Sequence, residues 1–421
     1  MKARILIVGG GAMGTSIAMH AATRCDPLRE PVVLIEKNQL GSGSSGSSGG
    51  IVHQTYSDRV MAGMARDAVK VYSTFEQSTG RSVGYRRTGV MVIAGRDPEV
   101  LARFDADINM QTEIGVDLQR LEAEDIRRLV PGIHIEDGTV GAFEPLGGFL
   151  HPGRAIESIA ALARTRGATT RTGVEQPEIL LEGGRAIGVK TAQGVFYAPQ
   201  IVLTTGAWTG AITSALGIEL PLRLVRAQEQ RIRTPRVGAE TEDLIDNGFP
   251  LADSSLIDRD LLETRFYTVD PTDRLPVLHP VIADYETGFF ARCHPADEQT
   301  RVGQIGFRGM PDVEHPSQLD RTEDAEFRRW AEDTIRNRLP VYEGCESEGF
   351  DLSCFSLTPD NRPIIGPIEE IPGLWVAAGF SGNDFHLAPS IGEGVTQMML
   401  EQPVSAFDPE FFSLSRFQTT A

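Results

Sequence analysis

The sequence predicts an α/β fold, and three observations support that prediction. The chain opens with an apolar run, a glycine-rich turn, an amphipathic stretch and a second apolar run, which is typical of a β–α–β unit. Residues 154–204 show a further α/β succession, in which a helical pattern is followed by several apolar strands. Residues 221–310 instead show strand patterns separated by turns, as in an antiparallel sheet. We therefore expect a parallel sheet with packed helices and a second, antiparallel sheet.

The glycine-rich turn has the spacing of a dinucleotide-binding motif. Residues 9–14 read GGGAMG and directly follow the predicted strand at residues 4–8. Gly9 makes the tight turn, Gly11 lets the backbone approach a pyrophosphate, and Gly14 lets the helix pack closely on the strands. Because this turn joins a predicted strand to a predicted helix, we interpret it as a nucleotide site rather than an ordinary glycine turn.

The residues around this turn complete the predicted nucleotide site. Ala12 and Met13 open a helix that runs to about Thr23, and the helix N-terminus offers N–H groups and partial positive charge to phosphates. The second strand, Val32–Ile35, ends in Glu36, which can accept hydrogen bonds from ribose hydroxyls. An acid there favours a ribose without a 2′-phosphate, but the motif alone does not separate NAD from FAD.

Residues 41–50 read GSGSSGSSGG, a composition that allows two interpretations. Out of context, such a stretch is typical of a flexible linker. Its position, just after the second strand and before a patterned helix at residues 59–80, instead favours a loop whose small residues pack against a flat cofactor. We favour the cofactor loop.

Further elements are predicted along the rest of the chain. A buried strand at residues 374–378 leads through a loop of small residues into a helix that runs to about Leu400 and whose first turn suits Pro389. The N-terminus of that helix is well placed to stabilise negative charge. The other predicted elements are a strand at residues 85–94, helices at 99–114, 122–129, 154–166 and 323–338, and strands at 169–174, 178–181, 186–191 and 194–197.

Composition and charge exclude several classes of protein. With 421 residues, the chain is long enough for two or three domains. Its net charge of −18 and sequence pI of about 4.9 argue against surfaces that bind nucleic acid or anionic membranes. The four cysteines lie far apart without a CxxC pair, so we expect neither a metal site nor a disulfide framework. We also expect no signal peptide and no transmembrane segment, and hence a cytoplasmic protein.

Four separated stretches together carry a resemblance to a known family. They are residues 9–14 with Glu36, the loop 41–50, residues 201–208 (similar to the pattern VVxAxGAW), and residues 358–366 with 379–385 (similar to TPDxxPIIG and AAGFSGHGF). On these motifs the chain resembles the FAD-dependent D-amino acid oxidase/sarcosine oxidase (DAO) superfamily over nearly its whole length.

The resemblance implies a Rossmann-like FAD-binding domain interleaved with an α+β substrate domain built on an antiparallel sheet. The FAD-binding domain would comprise residues 1–85, 145–215 and 340–421, and the substrate domain residues 86–144 and 216–339. The backbone of Val174 would meet the adenine. The residues implied to contact FAD are Gly9, Gly11, Ala12, Met13, Gly14, Glu36, Lys37, Ser44, Ser45, Ser48, Gly49, Gly50, Val174, Thr205, Gly206, Trp208, Gly379, Gly382, Asn383, Asp384 and Phe385.

One departure from the family pattern concerns how FAD is held. Covalent members attach the flavin through a cysteine shortly before the TPD turn, or through a histidine in the first loop. Ser353 stands at the cysteine position, Cys354 lies one residue off, and residues 41–50 contain no histidine. We therefore expect FAD to be bound noncovalently.

Two further departures concern the chemistry. Gln304, in a predicted strand at residues 301–308, stands where sarcosine-oxidase-like members place a lysine that activates oxygen. Val52 and His386 stand where members that bind carboxylates often have an arginine and a lysine. Because the usual cations are absent, His386, Arg308 and His53 are the candidates for contact with the substrate. For each histidine, a purely structural role is equally compatible with the sequence.

The sequence therefore favours a flavoenzyme that oxidises a C–N bond of a small amine or amino acid. Hydride would pass from the substrate carbon to flavin N5, and the imine would be released and hydrolysed. We expect a dehydrogenase rather than an oxidase, because Gln304 cannot supply positive charge to reacting oxygen. The electron acceptor stays open.

Two alternative functions compete with the hypothesis of an amine-oxidising flavoenzyme. Residues 49–54 (GGIVHQ) resemble the GGIRQQ of a mitochondrial branch associated with respiratory complex assembly, so an assembly factor with little turnover is one alternative. An NAD-dependent dehydrogenase is the other, and the C-terminal motifs disfavour it.

Overall fold

A computed structural model of the protein describes residues 1–175, 177–237, 275–276, 279–294 and 298–417. Part of the predicted antiparallel region at residues 221–310, namely residues 238–274, 277–278 and 295–297, lies outside the described residues, as does the end of the chain from residue 418.

Most of the predicted helices are confirmed to within two residues at each end. The longest begins after Asp58, whose carboxylate accepts the N–H groups of Val60 and Met61, and ends at Gly80 with a φ of 69°. Within the described residues the α-helices are α1 (Ala12–Arg24), α2 (Ser44–Ser47), α3 (Arg59–Thr79), α4 (Pro98–Glu113), α5 (Ala123–Leu129), α6 (Pro152–Thr165), α7 (Thr209–Ser214), α8 (Ala325–Arg338), α9 (Asp384–Met399) and α10 (Pro409–Phe412).

The strands fall into two large sheets and several small ones. The strands of the described residues are β1 (Ile5–Val8), β2 (Val32–Ile35), β3 (Ile51–Val52), β4 (Val90–Gly95), β5 (Gln119–Leu121), β6 (Val140–Glu144), β7 (Gly148–Phe149), β8 (Thr169–Arg171), β9 (Glu178–Glu182), β10 (Arg185–Thr191), β11 (Gly194–Tyr197), β12 (Gln200–Leu203), β13 (Arg223–Arg233), β14 (Arg236–Val237), β15 (Leu275–Pro276), β16 (Val281–Asp284), β17 (Phe289–His294), β18 (Gln299–Gln304), β19 (Ser347–Leu357), β20 (Ile364–Pro367) and β21 (Leu374–Ala378).

The first strand lies in the middle of a largely parallel sheet. Within the described residues this sheet has the order β20-β21-β12-β1-β2-β8. β1 runs parallel to both neighbours, with Ile5 opposite Val32 on one side and Gln200 on the other. Strand order jumps from β1 to β12, so the carboxyl end of β1 opens at a crevice between two connections that leave in opposite directions. Such a crevice is the usual ligand site of an open α/β sheet.

Both faces of β1 are buried, which explains its unbroken apolar sequence. Ile5 and Ile7 pack in the core that contains α1, α3, α6 and α9. Leu6 and Val8 point to the opposite face, where the three-stranded sheet β9–β10–β11 covers them. A strand buried on two faces has no place for alternating polar residues.

The second large sheet has the order β19-β13-β18-β17-β16-β4-β6-β5 within the described residues. Its strand pairs are antiparallel except for β4 and β16, which run parallel. The predicted antiparallel sheet is therefore confirmed, with one parallel pair. Helix α8 packs against β13, β17 and β18, and its residues Ala331 and Ile335 lie in the core of this layer.

Three predicted strands are shorter than expected, and a glycine with a positive φ lies where each of them is interrupted. The strand predicted at residues 85–94 begins only at Val90, since Gly89 has a φ of 71° and packs against the ring of Phe143. The strand predicted at residues 169–174 ends at Arg171, since Gly173 turns the chain with a φ of 70°. The third, predicted at residues 301–308, ends at Gln304, because the chain bends away at Ile305 and Gly306.

The prediction that Pro389 lies in the first turn of its helix is wrong. Helix α9 begins at Asp384, so Pro389 is its sixth residue. A proline there has no N–H for the carbonyl of Phe385, four residues earlier. The hydroxyl of Tyr72 on α3 donates to that carbonyl at 3.0 Å and supplies the missing hydrogen bond.

The chain passes between the two large sheets several times. β19 pairs with β13 in the antiparallel sheet, although residues 347–357 fall in the range expected for the FAD-binding domain. The division of the chain into domains stays a prediction. Within the described part of the chain, none of the helices has both the length and the apolar character required to cross a membrane.

We expect Gly14→Ala to destabilise the fold, whereas Gly63→Ala should not. A Cβ on Gly14 would lie 1.8 Å from the carbonyl oxygen of Gly9, so backbone would have to move, at a cost of at least about 1–3 kcal/mol. Gly63 lies in α3 with no atom within 4 Å of its Cβ position, so alanine there should add about 0.5–1 kcal/mol of stability. Urea unfolding of the two variants checks this, and equal stabilities would contradict the close contact.

Candidate active site

The carboxyl ends of β1, β2 and β12 open onto a cleft, here named the first cleft. It contains most of the residues predicted to hold the adenosine and phosphate part of a dinucleotide. Those that line it are Gly9, Gly11, Ala12, Met13, Glu36, Lys37, Ser44, Ser45, Val174, Thr205, Gly206, Trp208 and Asp384. The serine-rich loop lies on this cleft, in agreement with its interpretation as a cofactor loop.

Ser45 joins the glycine-rich turn to the start of α9. Its hydroxyl accepts the N–H of Ala12 at 3.3 Å and donates to Oδ2 of Asp384 at 2.9 Å. Burial raises the pKa of Asp384, although the Ser45 hydrogen bond opposes that shift. The charged form of Asp384 is thereby disfavoured, which suits a position beside the anionic groups of a nucleotide.

Glu36 is held by backbone groups on both of its carboxylate oxygens. Oε2 accepts the N–H of Gly10 at 2.7 Å, and Oε1 accepts the N–H of Asn38 at 2.9 Å. The side chain therefore braces the glycine-rich turn as well as lining the cleft. Each carboxylate oxygen has further lone-pair capacity with which a ribose hydroxyl could bond.

Lys37, Trp208 and Val174 lie around the same end of the first cleft. The ammonium of Lys37 stands 3.3 Å from the ring centre of Trp208, in a cation–π contact. The N–H of Val174 donates to the backbone carbonyl of Glu36 at 2.9 Å. That N–H is already used within the protein, so an adenine would meet the carbonyl or the side chain of Val174.

A second cleft lies between the serine-rich loop, the start of α9 and the antiparallel sheet. Ser44 and Asp384 line both clefts, so the two are continuous. The predicted residues that line the second cleft are Ser48, Gly49, Gly50, His53, Gln304, Gly382, Asn383 and His386. Three of the four candidate catalytic side chains therefore converge here.

Four predicted site residues line neither cleft. Gly14 packs against Gly9, and Gly379 turns the chain with a φ of 70° beside Thr358. Phe385 is buried in the core between α1, α3 and α9. Arg308 is exposed on the turn after β18, and its carbonyl accepts the amide of Gln304 at 2.9 Å. A substrate contact by Arg308 stays a prediction that the geometry does not favour.

His53, His386 and Tyr56 form an aromatic cluster at the second cleft. The two imidazole rings lie 4.2 Å apart, centre to centre. Burial lowers the pKa of His53 to about 4. Burial, together with the neighbouring His53, holds the pKa of His386 well below its usual range, against the Ile51 carbonyl that raises it. Both rings are therefore neutral at neutral pH, and neither provides the positive charge considered for them from the sequence.

The hydrogen bonds of Tyr56 and Asn383 assign the proton on His386. The amide nitrogen of Asn383 donates to the carbonyl of Phe380 at 3.0 Å, so its oxygen faces Tyr56. The hydroxyl of Tyr56 then donates to that oxygen at 2.9 Å, and Nδ1 of His386 donates to Tyr56 at 2.6 Å. Nε2 of His386 and Nδ1 of His53 are buried without a hydrogen-bond partner among the described residues.

A buried carboxylate holds the segment that carries His53 and Tyr56. Glu144 is fully buried at the end of β6. It accepts the backbone N–H and the side-chain amide of Gln54, each at 2.8 Å, and the hydroxyl of Thr55 at 3.2 Å. Burial raises the pKa of Glu144 to about 7, against these three hydrogen bonds. The His53 segment is thus positioned by the antiparallel sheet rather than by the serine-rich loop.

The other buried acid of the second cleft is neutralised within the protein. Glu229 on β13 accepts the N–H of Gly49 at 3.2 Å and pairs with Arg301 at 3.1 Å. Arg301 also pairs with Asp351 at 3.0 Å and donates to the carbonyl of Ser47 at 3.2 Å. Burial raises the pKa of Glu229, and Arg301 opposes that shift. This network fastens the serine-rich loop to the antiparallel sheet.

The side chains of β19 agree with a cofactor held without a covalent bond. Ser353 lines a small cavity that shares Glu229, Phe290 and Gln304 with the second cleft. The next residue, Cys354, points to the other face of the strand. Its thiol is buried, and burial raises its pKa to about 11, so it is neither placed nor ionised for attack on a ring.

Comparison with known families decides the class of the protein. The family model for the FAD-dependent oxidoreductases of the DAO type matches residues 4–398. The chain belongs to this family. It is therefore an FAD-dependent oxidoreductase, and the recognition of the DAO family from sequence is confirmed.

Similar proteins act on amines and amino acids. The chain is 27% identical over 418 residues to 4-methylaminobutanoate oxidase (formaldehyde-forming) of Paenarthrobacter nicotinovorans, covering 98% of this chain but 45% of that protein. It is 25% identical over 414 residues to human peroxisomal sarcosine oxidase, covering 98% of this chain and 95% of that protein. The chain thus spans less than half the length of the first relative and nearly all of the second.

Solved structures confirm the DAO fold. L-proline dehydrogenase from P. horikoshii superposes with a TM-score of 0.80 at 24% identity, over 99% of this chain and 98% of that one. At this identity the likeness concerns the fold, which is the predicted Rossmann-like unit combined with an antiparallel sheet.

The residues present fit an FAD molecule. Glycine is required at positions 9 and 14, where a Cβ would lie 2.4 Å and 1.8 Å from backbone oxygens, and this tightness brings the N-terminus of α1 to the cleft. The first cleft offers Glu36 and the α1 N–H groups to an adenosine diphosphate. The second cleft offers apolar and polar groups, among them two imidazole nitrogens with no hydrogen-bond partner in the described part of the chain, where a flavin ring and substrate would meet the protein.

Some residues of the two clefts were not predicted from the sequence. Strand pairing brings Glu229 and Tyr285 to the second cleft, and the hydrogen bonds of Glu144 position the segment that carries Tyr56. Arg321 lines the first cleft from the loop before α8. No motif marks them.

We expect the flavin to separate from the protein on acid denaturation. Ser353 lines the shared cavity, the Cys354 thiol lies on the other face of the strand, and residues 41–50 contain no histidine, so the usual points of covalent attachment are missing. Precipitation with acid, followed by an absorbance spectrum of pellet and supernatant, checks this. Yellow colour that stays with the pellet would contradict it.

Proposed function

We propose that this flavoenzyme oxidises a C–N bond of a small amine or amino acid and passes the electrons to an acceptor other than oxygen. The observation that carries the proposal is the pair of neutral imidazoles, His53 and His386, which face a cleft continuous with the nucleotide site. The names of the relatives, an N-methylamino acid oxidase and a sarcosine oxidase, agree with this class of substrate.

A neutral imidazole suits the amine chemistry better than a cationic one. An amine must lose its ammonium proton before its nitrogen can release electron density to the carbon that is oxidised. Nε2 of His386 is a buried acceptor without a partner among the described residues, and Tyr56 fixes the orientation of the ring. His386 can therefore accept a hydrogen bond from a substrate nitrogen that has already lost its extra proton. Bound FAD would accept the hydride, which carries the two electrons.

The lining of the second cleft gives less support for a bound carboxylate. Among its described residues there is no lysine or arginine, while Glu229 and Asp384 are acids. The lining also contains the neutral polar side chains of Asn383, His53 and His386. A carboxylate on the substrate would therefore depend on hydrogen-bond donors rather than on a direct ion pair within this lining.

Gln304 supports a dehydrogenase over an oxidase. Oxygen reduction builds negative charge, which a nearby cation stabilises. Gln304 lines the second cleft but is neutral, and its amide is engaged with the carbonyl of Arg308. The guanidinium of Arg301 is paired with two carboxylates. The described lining thus offers no free cation to reacting oxygen.

We expect anaerobic reduction of the bound flavin by at least one amine of a paired panel. The panel contains sarcosine and 4-methylaminobutanoate, each beside the counterpart in which hydrogen replaces the carboxylate, namely dimethylamine and N-methylpropylamine. Loss of flavin absorbance in an anaerobic stopped-flow measures the reaction, and the pairs measure what a carboxylate contributes. Should no amine bleach the flavin while a partner protein co-purifies in fixed ratio, the assembly-factor alternative would replace this proposal.

A matched pair of variants tests the role of His386 in that assay. His386→Ala should slow flavin reduction about tenfold or more, because an acceptor for the substrate N–H is lost, while FAD stays bound. His279, equally buried in the antiparallel layer and bonded to Tyr342 at 2.9 Å, is a control, and His279→Ala should alter stability rather than the reduction rate of folded enzyme. Wild-type rates in His386→Ala would remove this residue from the site.

We expect the reduced enzyme to transfer electrons to artificial dyes faster than to oxygen. The physical reason is the absence of a free cation in the described lining around Gln304. Reoxidation is followed after mixing substrate-reduced enzyme with air-saturated buffer or with a phenazine dye. Gln304→Lys should raise the oxygen rate, and Gln304→Met is the matched uncharged control. Fast peroxide production by the wild-type enzyme would contradict the dehydrogenase assignment.

A further inference from the structure

One residue that lines the first cleft comes from outside the expected FAD-binding segments. Arg321 lies in the loop before α8, within residues 216–339. The other residues described along this cleft all fall within residues 1–85, 145–215 or 340–421. A single side chain from the other part of the chain therefore reaches a site that is otherwise built by the β–α–β framework.

The backbone on both sides of Arg321 is held by a buried arginine. Arg226 on β13 is 8% exposed. Its Nε donates to the carbonyl of Asp320 at 2.9 Å, and its terminal nitrogen donates to the carbonyl of Thr322. The Asp320 carboxylate in turn accepts the N–H of Thr322 at 2.9 Å. These bonds fix the peptide groups that flank Arg321 while its side chain stays exposed at the cleft.

Arg321 adds a positive charge to the first cleft that no acid of the described residues pairs with. Lys37 and Arg321 are the cationic side chains among the described residues of the lining. Lys37 is engaged with the ring of Trp208. The Arg321 guanidinium makes no hydrogen bond or ion pair within the described residues, although Asp320, Glu323 and Asp324 are its chain neighbours. A guanidinium on the lining that no acid of the described residues pairs with favours an anionic ligand.

Lys37 and Arg321 both line the first cleft, and their charges act on one another. Burial lowers the pKa of Lys37, Glu36 raises it, and the charge of Arg321 lowers it again. The Arg321 guanidinium therefore repels the Lys37 ammonium weakly, since Arg321 is exposed and solvent screens the two charges. A bound dinucleotide, whose phosphates carry two negative charges, would relieve that repulsion.

We propose that Arg321 is an electrostatic ligand of the phosphates of FAD, held at the first cleft by the grip of Arg226 on its loop. It would add to the N-terminus of α1, which lines the same cleft and offers its N–H groups to the same phosphates. The role is cofactor retention and not chemistry, so it is independent of the substrate of the enzyme. It also makes FAD affinity depend on a loop anchored to the antiparallel sheet.

Equilibrium dialysis of the holoenzyme against buffer measures the proposed effect. We expect Arg321→Gln to weaken FAD binding about five- to thirtyfold at about 20 mM salt and much less at about 500 mM, because salt screens an exposed charge. Arg321→Lys should keep most of the affinity and most of the salt dependence. Arg329→Gln is the matched control, since Arg329 is exposed on α8 and lines neither cleft.

A second measurement separates cofactor binding from stability. The melting temperature of the FAD-free protein should be the same for wild type, Arg321→Gln and Arg329→Gln, while the rise in melting temperature on adding FAD should shrink only in Arg321→Gln. Equal FAD affinities and salt dependences for Arg321→Gln and Arg329→Gln would overturn the proposal. A loss of stability in FAD-free Arg321→Gln as large as the loss with FAD would also overturn it, by assigning a structural role.

Discussion

The site depends on one close approach of three backbone segments, where the end of β1, the start of α1 and the end of β12 meet. A side chain on Gly9 would strike the carbonyl of Thr204, and one on Gly14 would strike the carbonyl of Gly9. The hydroxyl of Thr204 lies 2.9 Å from that same Gly9 oxygen and bonds to it. Because Gly9 and Gly14 have no side chains, the three segments can approach this closely, and the N-terminus of α1 reaches the cleft. Ser45 then transmits that position to Asp384 and the second cleft.

Local sequence was sufficient for those parts of the fold whose geometry is set by neighbours in the chain. The glycine-rich turn, the helical pattern at residues 59–80 and the unbroken apolar run of β1 each predicted an element that the structure contains. The predictions of secondary structure were wrong where a single residue departs from the conformation that its sequence neighbours favour. Gly89 breaks an apolar run that otherwise has the pattern of a strand, and Pro389 stands inside a helix because Tyr72, far away in the chain, replaces its missing hydrogen bond.

The candidate site divides in the same way. Motif residues such as Glu36 and Ser45 were predicted, because each belongs to a short stretch of sequence whose residue types and spacing indicate a nucleotide site. Glu144 and Arg321 were not, since each reaches the site through pairing of distant strands or a loop held from another sheet. The state of His386 was also beyond sequence reasoning, because its neutrality comes from burial by residues that only the folded chain assembles.

The path of the chain between its two sheets has a consequence for synthesis on the ribosome. β12 pairs on one side with β1, but its other partner, β21, comprises residues 374–378 and emerges only after β13 to β19 have been made. Until then the nascent protein carries an unpaired, fully apolar edge at Ile201, Val202 and Leu203. Such edges recruit other strands. A truncated product that stops before residue 374 would therefore be a target for aggregation and degradation, even with its glycine-rich turn intact.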